Sequence, residues 1–163
     1  MKNEKLLLFI LAVVQFAHII DFMIIMPLGA QFMELFQISP QQFSLIVSSY
    51  AIAAFVTSLV GALYLDRFDR KKALLFLFFG FAVSTLACAL TTNYVLFLAA
   101  RSLTGAFGGM LSSLVLSIVA DAIPFERRSA AIGSIMTAFS VASVVGVPAG
   151  IYLAAEFSWR MPF

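Results

Sequence analysis

The sequence predicts an all-α membrane protein: a bundle of five transmembrane helices followed by the start of a sixth. Apolar residues make up 63% of the 163-residue chain and the mean hydropathy is +1.06, which leaves too little polar surface to clothe a soluble domain of this size. Apolar runs of about 20 residues, enough to cross ~30 Å of hydrocarbon, recur along the chain. Charged residues are only 11% of the total, yet six of them crowd into the seven positions of DRFDRKK, residues 66–72, between two such runs.

Taken in order, helices are expected at roughly 6–36, 41–65, 73–91, 94–121 and 129–155. The opening MKNEKLLLFILAVVQFA imitates a secretory signal, but no small-x-small cleavage site follows and hydrophobicity resumes past Asp21. The segment therefore reads as a retained first helix, long enough to tilt or project, with Pro27 and Gly29 permitting a bend in its outer part. Ser39-Pro40-Gln41-Gln42 starts the second helix: Ser39 suits the N-cap, Pro40 the first helical position, and Gln42 completes a capping box. Thr91-Thr92-Asn93 makes an uncharged turn, and Ala122 to Arg128, with Pro124, a charged one. Glu156-Phe157-Ser158 closes the fifth helix, and Trp159-Arg160-Met161-Pro162-Phe163 reads as the beginning of another.

Basic residues set the orientation. Lys2, Lys5, Arg67, Arg70, Lys71, Lys72, Arg127 and Arg128, eight of the ten, share one face, while Arg160 lies on the other and Arg101 inside the fourth helix. The positive-inside rule places the amino terminus and the DRFDRKK loop in the cytoplasm. The net charge of +2 gives no nucleic-acid footprint, because the basic residues sit in loops between membrane runs. Cys88 is alone in an apolar segment, with no disulfide partner. One histidine, one cysteine and no H-E-x-x-H leave no metal or nucleophile constellation for an enzyme. No cofactor is expected, and without a G-x4-G-K-[ST] loop ATP is not the driver within this chain.

An anchor needs only Lys and Arg, whereas this loop also carries Asp66 and Asp69. Asp66-Arg67-Phe68-Asp69-Arg70-Lys71-Lys72 resembles the signature loop of the major facilitator superfamily, G-x-L-x-D-R-x-G-R-[KR]-[KR], with Asp66, Arg67, Arg70, Lys71 and Lys72 matching. Ala62, Tyr64 and Asp69 replace the first glycine, the leucine and the second glycine; aspartate is among the few residues that tolerate a left-handed turn. Arg101-Ser102-Leu103-Thr104-Gly105 resembles the family's R-x-x-x-G element, and residues 124–133 resemble its cytoplasmic loop before the fifth helix. Gly133, Ala142 and Gly146 keep the spacing of the antiporter element. Gly146-Val147-Pro148-Ala149-Gly150 followed by Trp159-Arg160 is similar to the variant in drug and sugar efflux members. The resemblance covers the chain from its first helix and implies a proton-coupled exporter of small molecules in an inner membrane, built from two six-helix halves with substrate held between them. The chain reads as the amino-terminal portion of such a protein, without its carboxyl-terminal half.

Each motif has a bland reading beside this one. The loop is either a cytoplasmic latch of Asp66, Arg67, Arg70 and Lys71, with Asp121 as the partner for Arg70, or a solvated anchor. Arg101 sits too deep to snorkel and requires an acceptor, for which Asp21 is the acidic candidate, with His18 one turn away on the same face. The opposing influences of a nearby cation and of burial on a carboxylate are how a proton site is built; the alternative is a polar cluster that pins two helices. Gly105, Gly109, Gly146, Pro148 and Gly150 form either a hinge or plain close packing. Tyr50, with Ser48 and Ser49, is the best substrate-contact candidate, whereas most of the eighteen Phe and Met23, Met26, Met33, Met110 and Met136 face lipid or pack. Expected partners are the lipid bilayer, a small-molecule substrate, and the missing half or a self-associated copy. The competing function is a membrane module that folds or self-associates without transporting anything.

Overall fold

The computed structural model describes the backbone from Lys2 to Phe163, and the side chains of that stretch apart from those of Lys2, Asn3 and Asp66. The described residues form helices and turns only: α1 (Lys2–Ile24), α2 (Gly29–Phe36), α3 (Pro40–Tyr64), α4 (Arg70–Leu90), α5 (Tyr94–Ala122), α6 (Phe125–Val141) and α7 (Val147–Glu156). A 3₁₀ turn at Leu65–Arg67 continues directly from α3, and a π turn at Ala142–Gly146 joins α6 to α7 without a loop. Five stretches are long and apolar enough to cross a bilayer: Glu4–Ile24, Pro40–Tyr64, Arg70–Leu90, Tyr94–Ala122 and Phe125–Glu156. The protein is a multi-pass, all-α membrane protein.

Local chemistry sets the ends of these helices. Ser39 Oγ accepts from the Gln42 N–H at 3.3 Å while Gln42 Oε1 accepts from the Ser39 N–H at 2.9 Å, so the capping box is complete with Pro40 behind it. Asn93 Oδ1 accepts from the Val95 N–H at 2.8 Å to start α5, and Asp69 Oδ1 accepts from the Lys72 N–H at 2.9 Å to start α4. Asp69 does this in extended backbone, at φ −60° and ψ 124°; the left-handed turn that its glycine-replacing position suggested does not form. The left-handed residue is Gln37, at φ 52°, which closes α2.

The helix expected at 73–91 starts three residues early, at Arg70, and two other spans differ more from their expected outlines. The first expected helix, 6–36, is two helices separated by a turn at 25–28, because Pro27 lacks the N–H that would continue the ladder. The fifth begins at Phe125 rather than 129, since Pro124 itself takes the N-cap position. Its ladder widens ahead of Pro148, where the Val147 N–H bonds the Ala142 carbonyl five residues back, the signature of a π turn. Beyond Glu156 the chain runs in successive turns to Phe163.

α5 is the hub, packed against α3 on one side and α4 on the other, while α1 lies against α6 and α5. Thr57 Oγ1 reaches the Ala106 carbonyl at 2.8 Å and Ser113 Oγ the Ser58 carbonyl at 3.3 Å, binding α3 to α5. Two apolar clusters fill the interior. One gathers Leu11, Leu77, Leu111, Leu114, Val115 and Ile135; the other gathers Ile24, Ile25, Phe32, Ile46, Phe97 and Ala100, with Trp159 and Phe163 packed onto it. The residues between these clusters along α1, α4 and α5 include Asp21, Ser84, Thr85, Arg101 and Thr104, all buried. A polar layer therefore lies across the middle of the bundle.

Candidate functional site: a buried ion pair behind an aromatic wall

Arg101 is fully buried on α5 and Asp21 is 5% exposed on α1. Arg101 Nη1 donates to Asp21 Oδ2 at 2.8 Å. A guanidinium at this depth cannot reach water, and its stability depends on a counter-charge; α1 supplies one. The face of Tyr50, on α3, stacks beneath the same guanidinium with its ring centroid 4.5 Å from Cζ, a cation–π contact in a dry setting. Arg101 Nε and Nη2 and Tyr50 Oη have no hydrogen-bond partner among the described residues. The arginine thus holds donors in reserve beyond its one carboxylate contact.

Tyr50 has a second side. With Gln15, His18, Phe22, Met136 and Phe139 it lines a cavity of about 550 Å³ between α1, α3 and α6, and its ring packs 5.3 Å from that of Phe22. Asp21 and Arg101 do not line this cavity; Tyr50 stands between them and it. Asp21 borders instead a smaller hollow between α1 and α4, together with Thr85 and Phe81. His18, one turn before Asp21 on α1, has its contact on α5: its Nε2 and Ser112 Oγ lie 2.9 Å apart. Sequence reasoning missed Ser112, and also Gln15 and Thr85, because a helix that is apolar almost all round gives no periodic signal for its inward face.

The glycines divide by what they face. A Cβ on Gly105 would meet Tyr50 Cα at 2.8 Å, and one on Gly109 would meet Ala54 Cα at 2.7 Å. Backbone cannot move aside, so these two positions fix the close approach of α3 to α5. Gly108, overlooked in the sequence, leaves room for Tyr50 Oη and His18 Cδ2, 2.8 and 3.0 Å from where its Cβ would be. Gly146, the last residue of the π turn, faces Ile20, Gly150 faces Ile24, and the two flank Pro148. Gly133 has nothing within 4 Å.

At the charged face, Arg70 Nε donates to Asp121 Oδ2 at 2.8 Å and Arg70 Nη1 to the Leu65 carbonyl at 3.3 Å. The first contact ties the start of α4 to the end of α5, and the second ties it to the 3₁₀ turn that follows α3. Arg67 is exposed, with Cζ 5.4 Å from the Tyr64 ring centroid, and Lys71 is exposed as well. Asp66, the first acid of the expected latch, has its side chain outside the described residues. A second pair, Arg127 Nη1 to Glu4 Oε1 at 3.0 Å, joins α6 to α1. No group of three or more His, Cys, Asp or Glu capable of holding a metal occurs among the described residues.

Comparison with known proteins agrees with this architecture. The chain is 30% identical to Multidrug resistance protein 2 of Bacillus subtilis over 162 residues, 99% of this chain and 40% of that protein. It is 28% identical over 136 residues to the vacuolar membrane amino acid uptake transporter fnx2 of Schizosaccharomyces pombe, covering 83% of this chain and 23% of that one. Its fold superposes with a TM-score of 0.80 on a bacterial homologue of the human lysosomal transporter Spinster, in an inward-facing and occupied conformation. That match has 18% identity and covers 97% of this chain and 40% of the other. The chain thus spans two-fifths or less of the length of these relatives. A family model described as Major Facilitator Superfamily matches residues 11–163, and the chain belongs to that superfamily.

Proposed function

We propose that this chain forms part of a proton-coupled secondary transporter that exports small molecules by alternating access, and that it is not an enzyme. The observation that carries the reading is the Asp21–Arg101 pair, buried in mid-bundle with unused guanidinium donors and separated from a cavity by the single ring of Tyr50. A proton arriving at the carboxylate removes the charge that holds Arg101. The guanidinium then turns its spare donors towards Tyr50 and the cavity, and the relation of α1 to α5 changes. Exchange of partners inside a bundle with two arrangements is what couples an ion gradient to movement. On this reading Tyr50, Gln15 and His18 form one wall of the substrate site. Arg67, Arg70, Lys71, Asp66 and Asp121 form the cytoplasmic latch, and the π turn with Gly146, Pro148 and Gly150 lets the fifth span flex. The crowding of basic residues on one face supports an amino terminus on the cytoplasmic side, in keeping with an inner-membrane transporter.

The cavity also supports a second reading, a membrane module without transport activity, because its walls come from α1, α3 and α6 and nothing closes its far side among the described residues. Proteoliposomes separate the two. Efflux of a fluorescent lipophilic substrate under an imposed pH gradient is measured for the 163-residue chain and for the product of its whole reading frame. Gradient-driven flux in either supports the transporter; silence in both leaves the module.

A further inference from the structure

A second hollow, remote from the ion pair, opens where α3 ends and α4 begins. It has a volume of about 470 Å³ and is walled by apolar side chains, among them Val60, Tyr64, Phe76, Leu77 and Met110. Its rim is charged: Lys72 and Asp69 border it, and exposed Arg67 stands over the Tyr64 ring. The loop that forms the rim, residues 66–72, carries four basic residues against two acidic ones. Asp69 caps α4 through the Lys72 N–H, Arg70 pairs with Asp121, and no ion pair to Arg67, Lys71 or Lys72 occurs among the described residues. An apolar trough with cations at one end matches a molecule with a long apolar tail and an anionic head.

The dimensions decide between a lipid and a helix. The hollow follows only the last turn of α3 and the first two turns of α4, whereas a spanning helix needs about 20 residues of contact depth. Tyr64 is 52% exposed and Phe76 69%, so the trough opens sideways to hydrocarbon. Its charged end lies at headgroup depth, on the face where most basic residues gather. Basic pockets between helices on that side suit anionic lipid headgroups.

We propose that this trough seats one anionic phospholipid, with an acyl chain along Val60, Tyr64, Phe76 and Leu77 and the phosphate at Lys72 and Arg67. The lipid then bridges α3 and α4 at the loop whose Arg70 already ties α4 to α5. The site makes no use of Asp21, Arg101 or the cavity lined by Tyr50 and shares only Arg67 with the proposed latch, so lipid retention, read without any transport measurement, stands or falls apart from the transport reading.

Native mass spectrometry of the purified 163-residue chain tests this, with phosphatidylglycerol and phosphatidylcholine of identical acyl chains in competition. The expected result is one phosphatidylglycerol retained per chain, about tenfold in preference to phosphatidylcholine. Lys72→Gln and Arg67→Gln each lower that preference about fivefold, while Arg160→Gln, at the opposite face, leaves it alone. Ala73→Phe fills the trough and lowers phosphatidylglycerol retention without changing charge; should it fail to fold by circular dichroism, the two exposed-charge variants decide. Inorganic phosphate at millimolar concentration does not displace the lipid. Equal retention of the two lipids, indifference to the charge variants, displacement by inorganic phosphate, or a dimer that forms through the trough and excludes lipid would each overturn the proposal.

Discussion

Arg101 on α5 and Asp21 on α1 meet at 2.8 Å across eighty residues of sequence, with neither side chain more than 5% exposed. Removing one partner of such a pair strands the other charge in hydrocarbon, at a cost of about 3–5 kcal/mol. Both Asp21→Leu and Arg101→Leu are expected to lower stability by an amount of this order, while the double variant loses less than the sum by about 1–3 kcal/mol. Unfolding titrations in mixed micelles measure the cycle; strict additivity would mean that the pair is not energetically coupled.

Tyr50 separates its ring from its hydroxyl in function. Tyr50→Phe keeps the face under Arg101 and removes an oxygen that has no partner among the described residues, so stability is expected to change by less than about 0.5 kcal/mol. Tyr50→Leu loses the cation–π contact and falls by roughly 2 kcal/mol or more. The same unfolding assay reads both, and a large loss in Tyr50→Phe would show that the hydroxyl is engaged.

The glycines give a comparison within one chain. Gly109→Ala drives a Cβ into the backbone of Ala54, and overpacking of this kind costs about 1–3 kcal/mol. Gly133→Ala meets open space and is expected to be neutral or to stabilise by up to about 1 kcal/mol through helix propensity. Thermal melts of the two variants side by side check the contrast.

Asp121 is 57% exposed in its pair with Arg70, and exposed pairs contribute only about 0–1 kcal/mol. Asp121→Asn is therefore expected to leave the melting temperature within about 2–4 °C. On the proposed latch reading, Asp121→Asn nonetheless slows transport severalfold at unchanged membrane expression. Transport at the original rate would reduce the contact to an anchor.

What the sequence made legible follows from which interactions are local or costly. The Ser39–Gln42 box is written in four consecutive residues. Arg101 with Asp21, and Arg70 with Asp121, could be paired on paper because a buried or boundary cation narrows the choice to very few acids. The rotation of each helix about its axis was not legible, because these helices are apolar almost all round. The contact between His18 and Ser112 therefore had no sign in the sequence, and Gly108, Thr85 and Gln15 went unnoticed. The break at 25–28 and the π turn before Pro148 were half visible: proline marks where a ladder must give way, but not whether the helix bends, breaks or widens.

The central claim is that Asp21 carries the proton that drives movement, and it is tested most directly by substrate flux in proteoliposomes with and without a pH gradient, comparing the unmodified protein with Asp21→Asn. The account predicts that Asp21→Asn abolishes acceleration by the gradient while flux down the substrate's own gradient persists. An undiminished response to the pH gradient in Asp21→Asn would contradict it.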